Sequence, residues 1–118
     1  MEAIIEVANH GIEKGFNVIA EIPGTELKDE IVMVGAHLDS YSYAVGAADN
    51  AASVINCLEV LRLLKTLGLQ PKRTIRIGIW GAEEEGLIGS RYHIQKHFIN
   101  GNEKLYSYFN MDFGAGRF

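Results

Sequence analysis

The 118 residues contain one cysteine, two prolines and one tryptophan. With Cys57 alone, neither an internal disulfide nor a cysteine-cage zinc site can be built. No apolar run approaches the ~20 residues of a membrane-spanning helix. No basic start followed by an apolar stretch marks an export signal. An excess of positive charge is missing too. Eleven Lys+Arg stand against 15 Asp+Glu, a net charge of −4, and the pI is near 5.5. That balance argues against a phosphate-backbone binder, so neither nucleic acid nor a membrane is expected as a partner. Repeats, low-complexity tracts and collagen-like or coiled-coil periodicity are absent as well. What remains is a composition of 47% hydrophobic and 22% charged residues, which is ordinary for a globular chain of one domain or a piece of one.

Residues 3–8 (AIIEVA) and 17–22 (NVIAEI) read as strands, separated by NHGIEKG, and could pair as an antiparallel meander. PGTELKDE reads as a polar turn. The unbroken apolar run IVMVGA at 31–36 is the pattern of a strand covered on both faces. A helix is predicted over about 50–67. Val54, Cys57, Leu58, Leu61 and Leu64 fall on one stripe of it, with Asn56, Glu59, Arg62 and Lys65 opposite. Asp49 or Asn50 is placed to cap its start and Gly68 to end it. TIRIGIW at 74–80 is a further strand, 86–98 a second helix, and LYSYFNM at 105–111 a last strand. Strands alternating with helices give the fold class α/β, a layered sandwich on a largely parallel sheet. Ligands of such sheets bind beyond the carboxyl ends of the strands.

Those strand ends carry the polar groups. IVMVGA runs into His37 and Asp39, TIRIGIW into Glu83, Glu84 and Glu85, and LYSYFNM into Asp112. Asp49 sits at the helix start after the first of these. Parallel neighbours would collect them on one rim, where like charges must be protonated, spread apart or neutralised by a cation. A divalent ion does this economically, and mixed His/Asp/Glu ligation favours zinc or a neighbouring first-row metal. Asp39, two residues from His37, could accept the ring's second N–H. Each residue also has a plain alternative: a loop histidine, a helix cap at Asp49, a strand-end turn at Asp112, a solvated acidic loop at 83–85. The glycines flanking GAEEEG suit a built site better than a plain surface.

His93 and His97 stand four apart on the second helix. The segment HIQKH has no glutamate where a zincin needs its base, so this pair is expected to be mostly solvated surface. His10 sits in a turn. Cys57 and Trp80 read as packing residues, and Asn17 and Asn110 have no assigned role.

VGAHLDS, GAADNAAS, PKRTIRIGIWGAEEEGLIGS and YFNMDFGAG, collinear and naturally spaced from about residue 17 onward, resemble the successive blocks of the twenty-eighth metallopeptidase family. These are zinc-dependent exopeptidases, among them bacterial zinc aminopeptidases and plasma glutamate carboxypeptidase-like enzymes. The resemblance implies a three-layer sandwich with a mixed, largely parallel sheet. It implies two zinc ions and a peptide substrate. His37 and Asp112 would bind one metal, Asp49 would bridge, and Glu84 would bind the second. Glu83 would be the general base and Asp39 would orient His37. Glu85 inherits no role. The family draws a fifth ligand, a histidine, from beyond the Asp112 block. The 118 residues therefore read as one partial domain, its amino-terminal part, and the isolated chain could be inactive. Relatives are often exported, whereas no export signal is visible.

Two alternatives stand beside the exopeptidase. One is a non-catalytic or assembly-dependent fragment acting as a binding module, forming a homo-oligomer if apolar sheet surface is left uncovered. The other is a single-zinc enzyme like the glutaminyl cyclases, which share the fold.

Overall fold

A computed structural model describes residues 11–113. The predicted strand at 3–8, its pairing with 17–22, and His10 lie outside that range. Four strands form one sheet: β1 (Val18–Ile22), β2 (Leu27–His37), β3 (Arg73–Trp80) and β4 (Lys104–Asn110). Their spatial order is β1-β3-β2-β4. β2 runs parallel to β3 and to β4, and β1 is antiparallel to β3. Helix α1 (Ala52–Thr66) connects β2 to β3, and α2 (Ile88–Ile94), widening to π geometry over Gln95–Ile99, connects β3 to β4. The sheet is mixed and largely parallel, with helices on both faces: the three-layer α/β class expected.

Alternation along β2 and β3 divides the core in two. Ala36, Ile77 and Ile79 pack with Cys57, Val54 and Leu61 of α1. Ile31, Met33 and Trp80 pack with Ile94 and Phe98 on the opposite face. Cys57 and Trp80 are thus core residues, as their patterns indicated. Gly68, with φ of +64°, follows the end of α1 in the left-handed conformation that glycine adopts freely. No described helix is long and apolar enough to cross a membrane.

Several details differ from the sequence pattern. β2 begins at Leu27, so LKDE belongs to a strand and not to a turn. Its charged residues are tolerated because that end is exposed, held by the Leu27 N–H to the Lys72 carbonyl at 2.8 Å. The packing stripe of α1 is narrower than predicted, since Leu58 is 48% exposed and no described element covers it. Neither Asp49 nor Asn50 caps α1 with its side chain; both are used elsewhere. β4 ends at Asn110 and is an edge strand among the described residues, exposed along most of its length.

His93 is buried, at 4% exposure, against the expectation of a solvated pair. Its ring stacks on His97 at 4.4 Å and tilts against Trp80. Its Nε2 lies 3.4 Å from Nη1 of Arg76. Arg76 is itself buried and paired with Glu21 and Glu103, and His97 Nδ1 lies 3.1 Å from Glu103. A guanidinium only donates, so His93 Nε2 must accept and the ring is neutral. Burial first, then the nearby His97 and Arg76, lower its pKa from 6.5 to about 4.

Between those limits the unfolded chain takes up a proton that the folded chain refuses, so acid favours unfolding, by on the order of 3 kcal/mol over the window. Glu103 acts in the same direction at lower pH. Burial opposes its charge, but the Arg76 donors outweigh this and hold its pKa below the usual range. The melting temperature should therefore fall between pH 6.5 and about 4 by about 10 °C more in the native protein than in His93→Leu. Thermal melts followed by circular dichroism at several pH values check this; parallel curves would refute it.

Candidate metal centre

The carboxyl ends of β2, β3 and β4 lie side by side, since His37 pairs with Trp80, and Gly35 with both Gly78 and Asn110. His37 ends β2 on the α2 face, 3% exposed. Its Nδ1 is 2.9 Å from the Asp39 carbonyl oxygen. That acceptor places the Nδ1 proton and leaves Nε2 facing outward. Nε2 lies 3.0 Å from Asp49 Oδ1, 3.2 Å from Asp112 Oδ1 and 4.0 Å from Glu83 Oε2. Two sets of ligand atoms converge here within 4.8 Å: His37 with Asp49 and Asp112, and His37 with Glu83 and Glu84. Glu85 is exposed and belongs to neither set.

Asp39 is positioned differently from the sequence expectation. The backbone carbonyl, not the carboxylate, faces the ring N–H; the nearer carboxylate oxygen is 3.7 Å from Nδ1. The carboxylate instead accepts the backbone N–H groups of Glu83 and Glu84, each at 3.0 Å. It thereby ties the end of β2 to the loop after β3. Burial opposes its charge, but those two donors prevail and its pKa is lowered.

The loop 81–87 is irregular, so consecutive glutamates can face different ways. Ala82 and Leu87 adopt φ of +55° and +63°, a conformation costly for side-chain-bearing residues and common at functional sites. The Gly86 and Leu87 N–H groups both donate to the Glu83 carbonyl. Asn17 closes the loop base: its Nδ2 donates to Gly89 O at 2.9 Å and its Oδ1 accepts from Gly81 N–H at 3.1 Å.

Asn50 does the same for the third strand. It is 1% exposed. Its Nδ2 donates to Met111 O at 3.1 Å and its Oδ1 accepts the Phe113 N–H at 3.2 Å. Asp112 is thus held from both sides by the neighbour of Asp49. Asn17 and Asn50 are the site's main residues that sequence reasoning left without this role. Their signals were weak, an unplaced asparagine and an apparent helix cap.

Electrostatics reflect the crowding. Burial disfavours a charged His37, yet the Asp39 carbonyl and the Asp112 and Glu83 carboxylates outweigh it, and the pKa is raised. Burial also raises the Glu83 pKa; His37 counteracts it, while Asp112, Glu84 and Asp39 add to it. Among the described residues Asp49 Oδ1 is buried and accepts no hydrogen bond, although His37 Nε2 lies 3.0 Å from it. Such an atom is costly to leave unsatisfied. Its position among an imidazole and carboxylates fits a hard or borderline divalent cation such as zinc. The donor set therefore accommodates the metal that the motifs imply.

The family model for peptidase family M28 matches residues 17–117. The chain belongs to peptidase family M28. Carboxypeptidase Q of Bos taurus is 44% identical over 85 residues, 72% of this chain and 18% of that protein. Carboxypeptidase Q of Homo sapiens is 36% identical over 114 residues, 84% of this chain and 24% of its own length. Among solved structures, BSAP, a zinc aminopeptidase from Bacillus subtilis, superposes with a TM-score of 0.71 at 34% identity, covering 82% of this chain and 24% of that one. This M28 chain thus spans about a quarter or less of these relatives.

In this M28 chain Asn50 is the clamp most open to test. Asn50→Ala leaves the Met111 carbonyl and Phe113 N–H without their partner. It should cost about 2–3 kcal/mol, read as an earlier urea midpoint in metal-free protein. A midpoint equal to the native one would show that Asn50 does not hold the Asp112 segment.

Proposed function

We propose that the protein is a zinc-dependent exopeptidase that hydrolyses terminal peptide bonds at a co-catalytic two-zinc centre. One observation carries the reading: His37, Asp49 and Asp112, from three separate segments, bring ligand atoms within 4.8 Å of one another, and Asp49 Oδ1 is buried with no other partner. In this reading His37, Asp49 and Asp112 would hold the first zinc, and Glu84, with Asp49 shared, would hold the second. What a divalent ion supplies there is Lewis acidity, which polarises a carbonyl and makes a water acidic. The peptidase family and the names of the relatives support the peptide as substrate.

The chain's own groups perform the remaining steps. Glu83, one residue from Glu84 on the irregular loop, takes the proton of the attacking water and returns it to the leaving amine. Its raised pKa suits it to the first role, because a carboxylate with a higher pKa is the stronger base. Asp39 holds the Glu83 and Glu84 backbone in place through its two accepted hydrogen bonds. A cavity of about 590 Å³ adjoins the cluster, reaching His37, Glu83 and Asp112 and walled by Trp80, Leu87 and Ile94. Its size and apolar lining suit a peptide side chain.

The test is zinc-dependent release of an amino acid from an aminoacyl anilide. Chelation should abolish it and zinc restore it. Glu83→Gln should lower kcat by about 10²–10⁴-fold with zinc content unchanged. Activity that persists through both chelation and Glu83→Gln would refute the mechanism. One zinc per chain at saturation would favour the single-zinc cyclase-like alternative.

A further inference from the structure

The cavity beside the cluster has a polar wall that the mechanism above does not use. Gly35 of β2 and Gly78 of β3 are register partners. A Cβ on Gly78 would fall 2.2 Å from the Trp80 ring. One on Gly35 would fall 2.6 Å from Trp80 Nε1 and 2.5 Å from the Tyr108 hydroxyl. The two bare positions therefore leave a floor on which the indole lies, and no other residue type leaves that space. From there Trp80 Nε1–H donates to the Tyr108 oxygen at 2.8 Å. Tyr108 donates in turn to Asn110 Oδ1 at 2.6 Å.

The direction of this chain is chemically determined. An indole N–H can only donate, so the Tyr108 oxygen accepts and its single proton is free to go onward. Burial pushes the Tyr108 phenol up, which keeps that proton in place. Asn110 must then turn its oxygen to Tyr108 and present its NH₂ away from it. Asn110 lines the cavity together with His37, Glu83 and Asp112. A neutral donor with a set orientation thus stands among acids. An amide NH₂ can only donate, and every residue of a peptide offers a backbone carbonyl oxygen as its acceptor.

We propose that the Asn110 side-chain amide, oriented by the Trp80–Tyr108 relay, donates a hydrogen bond to a backbone carbonyl oxygen of the bound peptide. This deepens the exopeptidase reading and rests on it. Asn110 is a substrate-binding residue here, and Trp80 and Tyr108 are positioning residues.

Binding separates the two ideas. The probe is the tripeptide Leu-Gly-Gly, titrated calorimetrically into zinc-loaded Glu83→Gln protein, which should turn it over about 10²–10⁴-fold more slowly. Adding Asn110→Asp keeps the shape and the bond from Tyr108 but offers the cavity an acceptor. It should raise Kd at least about tenfold. Asn110→Ala, which adds no charge, should act in the same direction. Tyr108→Phe frees the amide to turn and should raise Kd about threefold. Zinc content should stay unchanged in all three, which also reports an intact fold. An unchanged Kd in both Asn110 variants, or no tripeptide binding by the parent, overturns the proposal. An unchanged Kd in Tyr108→Phe alone overturns the relay. Tripeptide binding that depends on Asn110 in a protein without hydrolytic activity sustains the contact and refutes the exopeptidase reading.

Discussion

Three carboxylates face the buried Nε2 of His37 across 3.0 to 4.0 Å, and their mutual repulsion is the constraint around which this end of the molecule is arranged. Without a counter-charge, such a gathering would spread apart or take up protons. The raised pKa of His37, won against the effect of burial, is one sign of that demand. The raised pKa of Glu83 is another, and here burial and the neighbouring acids act together. The orphaned Asp49 Oδ1 is the third, since hydrogen bonding leaves it unsatisfied and a cation would not. A centre of this kind stores an affinity for positive charge in the shape of its backbone.

That shape is maintained by neutral amides and one carboxylate pointing away from the cluster. Asp39 joins β2 to the loop after β3. Asn17 closes the base of that loop. Asn50 fastens the segment after β4 to the start of α1. Each clamp bridges two pieces far apart in sequence, so the ligand atoms are set by long-range hydrogen bonds and not by local turns. The Trp80–Tyr108–Asn110 relay belongs to the same scheme, built on two glycines that leave room for an indole.

Much of this was legible beforehand because the signals were periodic. The apolar run at 31–36 and the alternation at 74–80 mark β2 and β3, and the stripe through Val54, Cys57 and Leu61 marks α1. The positions where polar residues interrupt those patterns are the rim residues His37, Glu83, Glu84 and Asp112. Other features had no periodic trace. Asn50 looked like a cap, because an asparagine before a helix usually is one, but its partners stand more than sixty residues away. His93 looked solvated, because nothing local announces that Arg76, Glu21 and Glu103 will meet beneath it. The Asp39 carboxylate was assigned to the imidazole on proximity in sequence, whereas the backbone carbonyl was better placed.

The amino-acid sequence by itself determined the order of strands and helices, and the chemical groups that terminate each strand. Hydrophobic period and residue type act locally and can be read from neighbours along the chain. Only the tertiary structure decided which groups meet and which atoms of each face the others. It put the Asp39 carbonyl, and not its carboxylate, on His37. It gave Asn50 to the segment around Asp112 and left one oxygen of Asp49 without a hydrogen bond among the described residues, 3.0 Å from His37 Nε2. Those outcomes depend on how β2 pairs with β3 and β4, which brings together segments far apart in the chain.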